Sequence, residues 1–234
     1  KGYVPYPLPE KTTGFHQDGA GQTLEYAYQD WTLAQLAKEL DEEEDVANFL
    51  QRSQNYRKLF DPATGNMRPR DANGEWRDPF DPHEYQHGFV ESNAAQMTWF
   101  VPQDYAGLAE LMGGMEVAVQ RLEQAFLEAE KSGFTSGKSH DQETQAQNRR
   151  VPNNYGNQPS MQTAFVFIAL GVPEKTQKWS RRVVDAVHSG LSPHSGYNGD
   201  EDQGLMGSLA VLMKIGLFQL DGGTTPDPVY QLGS

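Results

Sequence analysis

The sequence has no cysteine among its 234 residues, which removes disulfides, thiolate metal sites and cysteine nucleophiles together. Positive charge is scarce: 19 Lys and Arg stand against 32 Asp and Glu, a formal charge of −13. Such a surface repels a phosphate backbone and no basic run offsets it, so nucleic acid is not an expected partner. No apolar run approaches the roughly 18 residues of a membrane-spanning helix, so no membrane partner is expected either. A secretory signal is lacking and the chain begins at Lys1 rather than Met, so it is expected to be a processed product or a piece of something longer. No GxGxxG or Walker sequence stands between a strand and a helix, and no GxSxG nucleophile elbow occurs.

What is present is glycine (23), proline (14) and aromatic rings (11%). Disordered chains are poor in aromatics, so this mixture points to a globular protein with long polar loops. Apolar residues spaced three and four apart predict a helix from about Thr23 to Leu40, on the stripe Leu24, Ala27, Trp31, Ala34 and Ala37. A second follows Asp41–Asp45, with Val46, Phe49, Leu50 and Leu59 as its core face, and ends at the Asp61-Pro62-Ala63-Thr64-Gly65 turn. Residues Asn66 to Val90 read as a long aromatic loop, of the kind usually retained for function. Helices are then expected at Ser92–Phe100, Gln103–Met112, Met115–Lys131 (buried face Val119, Leu122, Phe126, Ala129), Met161–Leu170, Pro173–Ser189 and Gln203–Ile215. Mostly apolar helices alternate with amphipathic ones, as in a two-layered α/α toroid. A helix-pair scaffold that binds protein is the competing reading, but no repeat of fixed length is found.

Polar clusters precede each apolar helix: Gly19-Ala20-Gly21-Gln22-Thr23-Leu24-Glu25, Glu91-Ser92-Asn93, Asn154 to Ser160, and Tyr197 to Gln203. In an alternating array the inner helices point one way, so these clusters should converge where helix N-termini add partial positive charge. Capping explains each cluster singly, since Asp, Asn and Ser are favoured N-caps. It does not explain the surplus of Gly and Gln. Asp200-Glu201-Asp202 is the sharpest cluster, because adjacent acids raise one another's pKa. Paired with Glu91, which follows the apolar Phe89-Val90, it offers the unequal carboxylates that glycoside hydrolysis requires.

Trp76, in the long polar loop, is the candidate sugar-stacking ring, while Trp99 and Phe100 read as core and Tyr85 and Phe89 are evenly balanced. His83-Glu84-Tyr85-Gln86-His87 spells the HExxH zinc signature. Pro82 before it and Gly88 after it leave room for little more than one helical turn, and no third ligand lies nearby, so surface loop is favoured over zinc. The histidines His16, His140, His188 and His194 show no ligand spacing.

Thr23-Leu24-Glu25-Tyr26-Ala27-Tyr28, Phe60-Asp61-Pro62, the run Glu91 to Pro102, Leu111-Met112-Gly113-Gly114, Gly156-Asn157-Gln158-Pro159-Ser160 and Gly199 to Gly204 resemble glycoside hydrolase family 92, the bacterial exo-acting α-mannosidases. The resemblance runs in order along nearly the whole chain. It implies an all-α fold, a single domain over residues 1–234 forming the later part of an (α/α)6 toroid, with an upstream β-sandwich and the first helices absent. It implies calcium-dependent hydrolysis of mannose-containing glycans with inversion, in an extracellular or periplasmic location. Glu91 matches the general acid, and Asp200 and Asp202 match the general base. Glu25, Asn93, Glu201 and Trp76 are the expected substrate-binding residues. By position, Asn157 and Gln158 are the expected calcium ligands through their side-chain oxygens. The family more often carries Gly-Asn-Glu-Pro-Ser-His-His where this chain has Gln158 and Met161-Gln162, which marks a divergent subgroup. The missing N-terminal part of the same enzyme is an expected partner, and a non-catalytic glycan-binding or incomplete fragment is the alternative.

Overall fold

The computed structural model describes residues 1–8, 18–137, 142, 145, 148–192, 195, 196, 199, 201–220, 222 and 229–232. His16, His140, His194 and Asp200 lie outside the described residues. The described fold is mostly helical. In chain order it contains α1 (Gly19–Glu39), α2 (Glu43–Ser53), α3 (Ala94–Met97), α4 (Tyr105–Met112), α5 (Met115–Glu130), α6 (Thr163–Ala169), α7 (Pro173–Val187) and α8 (Leu205–Ile215). Short 3₁₀ segments cover Gln54–Leu59, Asn148–Arg150 and Gln158–Ser160. Two antiparallel pairs of two-residue strands complete it: β1 (Phe60–Asp61) with β2 (Asn66–Met67), and β3 (Leu217–Phe218) with β4 (Gln231–Leu232).

Helix α1 begins four residues before the expected Thr23, because its glycines serve close approach rather than chain reversal. A Cβ on Gly19 would lie 2.6 Å from the carbonyl oxygens of both Val4 and Pro5. Thr23 completes the contact, accepting the Val4 N–H at 2.9 Å and donating to the Gly19 carbonyl at 2.7 Å. The helix expected from Ser92 to Phe100 shrinks to the single turn α3. Asn93 caps it, and Thr98 turns its hydroxyl back to the Ala94 carbonyl at 2.7 Å, a bond that competes with helix propagation. The second expected helix ends at Ser53 and continues as 3₁₀ to Leu59.

Helices pack as successive neighbours, α1 on α2, α4 on α5, α6 on α7 and α7 on α8. The core centres on Phe126 of α5, whose ring lies 5.1 Å from Trp179, 5.6 Å from Phe167, 6.2 Å from Phe134 and 6.4 Å from Tyr155. On α5 the buried face runs through Ala118, Leu122, Phe126 and Ala129, so Ala118 takes the place expected of Val119. Helix α6 is buried from Thr163 to Phe167, as its all-round apolarity required. Helix α2 departs from expectation: Val46 and Phe49 are only half-buried and Leu50 is exposed, while Leu59 is fully buried. Together with Leu33, Leu36 and Leu40 of α1 and its C-cap, Leu50 makes this hairpin's outer side apolar and uncovered.

The long loop from Met67 to Asn93 carries little regular structure beyond one bridge between Arg70 and Trp76. Arg68 organises it. Its guanidinium bonds Asp61 Oδ2 at 2.9 Å and donates from Nε and Nη2 to the Arg77 carbonyl at 2.9 and 2.7 Å. The N-terminal segment lies alongside, with Tyr6 N–H donating to the Arg70 carbonyl at 2.7 Å.

Candidate active site

The predicted clusters meet through one backbone hydrogen bond, one side-chain amide and one contact that only glycine permits. Gly21 N–H in α1 donates to the Gly88 carbonyl at 2.8 Å. The first cluster thus touches the approach to the second. Asn157 Nδ2 donates to the Glu91 carbonyl at 3.1 Å and lies 3.4 Å from Glu91 Oε2, which joins the second to the third. Gly199, at φ +151°, abuts Gly156 so closely that a Cβ would sit 2.1 Å from the Gly156 oxygen, which joins the third to the fourth. Gly19 and Gly199 in these clusters therefore mark close approach between segments far apart in sequence.

Between the first three clusters lies a cavity of about 630 Å³, lined by Gly21, Gln22, Glu25 and Tyr26 of α1, Val90, Glu91, Met97 and Phe100, and Gln158, Pro159, Met161 and Gln162. Gly21 and Gln22 in the first turn of α1 and Gln158 and Pro159 of the 3₁₀ turn before α6 line it, so two helix starts place partial positive charge beside its carboxylates. Desolvation raises the Glu25 pKa above the ordinary carboxylate value. Glu91 sits at φ +46°, a left-handed conformation that non-glycine residues rarely adopt and that clusters at functional sites. Gln22 places its Oε1 in the wall, buried and without a hydrogen-bond donor opposite it.

Of the residues named from sequence, Glu25, Glu91 and Gln158 share this cavity. Asn157 lies just behind it, 8% exposed, with its Oδ1 accepting the Gln158 N–H at 2.9 Å. Asn93 is fully buried. Its Oδ1 caps α3 through Gln96 N–H, and its Nδ2 donates to the Arg149 and Val151 carbonyls at 3.2 Å each, so it supports the wall from within and does not face a ligand. Glu201 takes the capping role: Oε2 accepts the Gly204 N–H at 2.5 Å and Oε1 the Gly207 N–H at 3.2 Å, at the start of α8. Asp202 is half-buried at φ +56° on the same turn, outside the cavity's lining, and Asp200 lies outside the described residues.

Trp76 is also outside the lining. The Arg70 guanidinium covers its ring at 3.6 Å from the centroid, so this tryptophan pins the loop. Phe89 is core, Tyr85 lies under Arg149 at 4.2 Å, and Trp99 is buried. Phe100, expected in the core, packs half-buried against it and also lines the cavity, as does Tyr26, which is 49% exposed. Tyr26 was recognisable in principle, since it falls off the Leu24–Ala27–Trp31 stripe and directly follows Glu25. His83 and His87 have separate partners: His83 Nδ1 faces the Arg150 carbonyl at 3.0 Å, and His87 Nε2 faces Glu84 at 3.0 Å. Among the described residues no group of three or more His, Cys, Asp or Glu is placed to hold a metal ion.

The model of the glycosyl hydrolase family 92 catalytic domain matches residues 1–234. A family GH92 α-mannosidase from Bacteroides thetaiotaomicron, solved with mannoimidazole, is 30% identical, with a TM-score of 0.80 over 100% of this chain and 29% of that one. A family GH92 inverting mannosidase from the same species is 32% identical, with a TM-score of 0.75 over 100% of this chain and 30% of that one. A curated relative described as an uncharacterized secreted glycosidase, from Arthroderma benhamiae, is 26% identical over 94% of this chain and 28% of its own length. The chain thus spans less than a third of these relatives. With a family match from end to end, the chain belongs to glycosyl hydrolase family 92.

Proposed function

We propose that the cavity is part of the active site of an exo-acting α-mannosidase that cleaves terminal α-mannosyl linkages with inversion. The observation that carries this reading is the meeting of Glu25, Glu91 and Gln158, from segments far apart in sequence, in one cavity at the helix N-termini. The relatives named as α-mannosidases support mannose as the sugar, and the one named as inverting supports the stereochemistry. In this reading the chain is the later part of an α/α-toroid catalytic domain and acts outside the cell, as the name of the secreted relative suggests. No helix among the described residues is long and apolar enough to cross a membrane.

Glu91 gives its proton to the leaving oxygen as the bond to the anomeric carbon breaks, and that bond's electron pair stays with the oxygen. Asp202, with Asp200, takes a proton from the water that attacks the opposite face. Tyr26 and Phe100 offer rings for the sugar's apolar faces.

Calcium suits this wall on donor chemistry. The polar lining residues offer oxygens from the carboxylates of Glu25 and Glu91, the amides of Gln22, Gln158 and Gln162, and the Tyr26 hydroxyl, and Gln22 Oε1 is a buried acceptor with no donor of its own. Gln22 and Gln158 would hold the ion, with Glu25 adding charge, whereas the Asn157 amide is engaged by Gln158 and Glu91. A bound calcium would engage sugar hydroxyls and favour ring distortion.

A second reading, an incomplete fragment that binds glycan without cleaving it, is favoured by the uncovered Leu33, Leu36, Leu40 and Leu50 and by the 29% share of the relative's length. Glu91→Gln separates the two. It should cut turnover of α-1,2-mannobiose by roughly 100-fold or more, with a much smaller loss on an aryl mannoside whose leaving group needs no proton. Equal activity of variant and wild type on mannobiose would remove Glu91 from the acid's role.

A further inference from the structure

We infer that Asn157 is a positioning residue for Glu91, its side-chain amide deciding which carboxyl oxygen of Glu91 carries the proton. The inference rests on the mannosidase reading for what that proton does, and on geometry alone for where it sits.

The orientation of the Asn157 amide is fixed by its neighbours. Oδ1 accepts the backbone N–H of Gln158 at 2.9 Å, so Nδ2 must face the other way, toward the Glu91 carbonyl at 3.1 Å and Oε2 at 3.4 Å. An amide nitrogen only donates. The carboxyl oxygen opposite it therefore accepts, and because the unprotonated oxygen of a carboxyl group is the stronger acceptor, this donor favours leaving Oε2 without the proton. Oε1, the oxygen away from Asn157, is left to carry the acidic proton.

The same amide pins the backbone of Glu91 through its carbonyl, at a residue held at φ +46°. Released from that pin, Glu91 can relax toward negative φ and carry its carboxyl away from the cavity. The donor comes from behind the wall: Asn157 is 8% exposed, whereas Glu91 is open to the cavity. As the glycosidic bond breaks, its electron pair remains on the leaving oxygen, which takes the proton from Oε1, and Glu91 becomes a carboxylate. The Asn157 N–H then faces a charged acceptor, a stronger bond than the one it made before, so the contact favours the transfer.

Two variants separate this role from capping. Asn157→Asp keeps an acceptor for the Gln158 N–H but turns a second acceptor toward Glu91, whereas Asn157→Ala removes both functions. The expected result is a kcat loss of about 100-fold on α-1,2-mannobiose for both variants, shrinking strongly on an activated aryl mannoside, with KM changed little. An Asn157→Asp variant as active as the wild type on mannobiose would show that Asn157 is a cap alone and overturn the inference. The contact is also read without catalysis. In ¹⁵N–¹H NMR spectra, Glu91→Ala, which removes the carboxyl that Asn157 faces, should move the side-chain amide of Asn157 while leaving the Gln158 backbone N–H in place. An Asn157 amide unmoved by Glu91→Ala overturns the placement. A wild-type chain that hydrolyses no mannoside would count against the mannosidase reading, while the amide shift would still decide the placement.

Discussion

Gly199→Ala tests whether the cavity depends on glycine-to-glycine contact. The added Cβ would come 2.1 Å from the Gly156 carbonyl oxygen, where real Cβ atoms essentially never approach within 3.0 Å. The Gly156 turn, which carries Asn157 and Gln158, must then move by about 1 Å, a displacement that can cost roughly 100-fold in rate when it reaches reacting groups. The conformation adds its own cost, since Gly199 has φ +151°. Gly171→Ala is the matched control: φ is +80°, but nothing lies within 4 Å of the new Cβ, and the residue follows Leu170, the C-cap of α6, outside the cavity's lining. The control should lose about 1 kcal/mol, or 2–4 °C in Tm, with full activity. Gly199→Ala should melt lower by a comparable amount or more and lose about 100-fold in mannobiose turnover or in mannoimidazole affinity. Calorimetry with NMR-monitored turnover reads both. A Gly199→Ala chain matching Gly171→Ala in function would refute the argument that this contact shapes the cavity.

Phe126→Ala should cost about 3–5 kcal/mol, because it empties the centre of a cluster of aromatic rings; urea unfolding measures it, and a loss under 1 kcal/mol would mean the core does not centre there. Arg68→Met should cost about 3–5 kcal/mol by leaving Asp61, 3% exposed, without its guanidinium, and should loosen the loop that ends at Glu91. Burial alone would raise the Asp61 pKa, but hydrogen bonds from Arg68 and the Ala63 N–H outweigh it and hold the carboxyl below its ordinary value. Its contribution is therefore present above the unfolded pKa and is lost as pH falls through the folded one. His188 gives a second pH signature. Burial first, then the Lys214 charge, push its pKa down to about 4, so stability should fall by roughly 3 kcal/mol between pH 6.5 and 4, as the unfolded chain takes up a proton that the folded one refuses. His188→Leu should flatten that segment of the stability–pH curve.

That Gly21, Glu91 and Gln158 would come together was legible because their clusters each precede an apolar helix and hold more glycine, asparagine and glutamine than capping needs. Buried faces of α6 and α7 were legible for a simpler reason: Ala164 to Phe167 and the Trp179–Val183–Val187 stripe admit few other readings. Boundaries were not. Gly19 and Gly21 look like chain breakers until Val4, Pro5 and Gly88 are seen pressed against them. Thr98 ended α3 through a local back-bond that periodicity does not register. Roles within the clusters also depended on partners distant in sequence. Asn93 and Glu201 look the same as Asn157 and Glu91 along the chain, yet the first pair is consumed by caps, whereas Glu91 lines the cavity and Asn157, itself a cap, reaches it from behind. Trp76 read as a sugar platform because a polar loop surrounds it, but the covering group, Arg70, closes on it only through a bridge that sequence does not announce.

Proton NMR of the chain with α-1,2-mannobiose, first in calcium and then in EDTA, tests the central claim most directly. The account predicts that β-mannose appears first and only with calcium. First appearance of α-mannose, or release that EDTA leaves untouched, would contradict it.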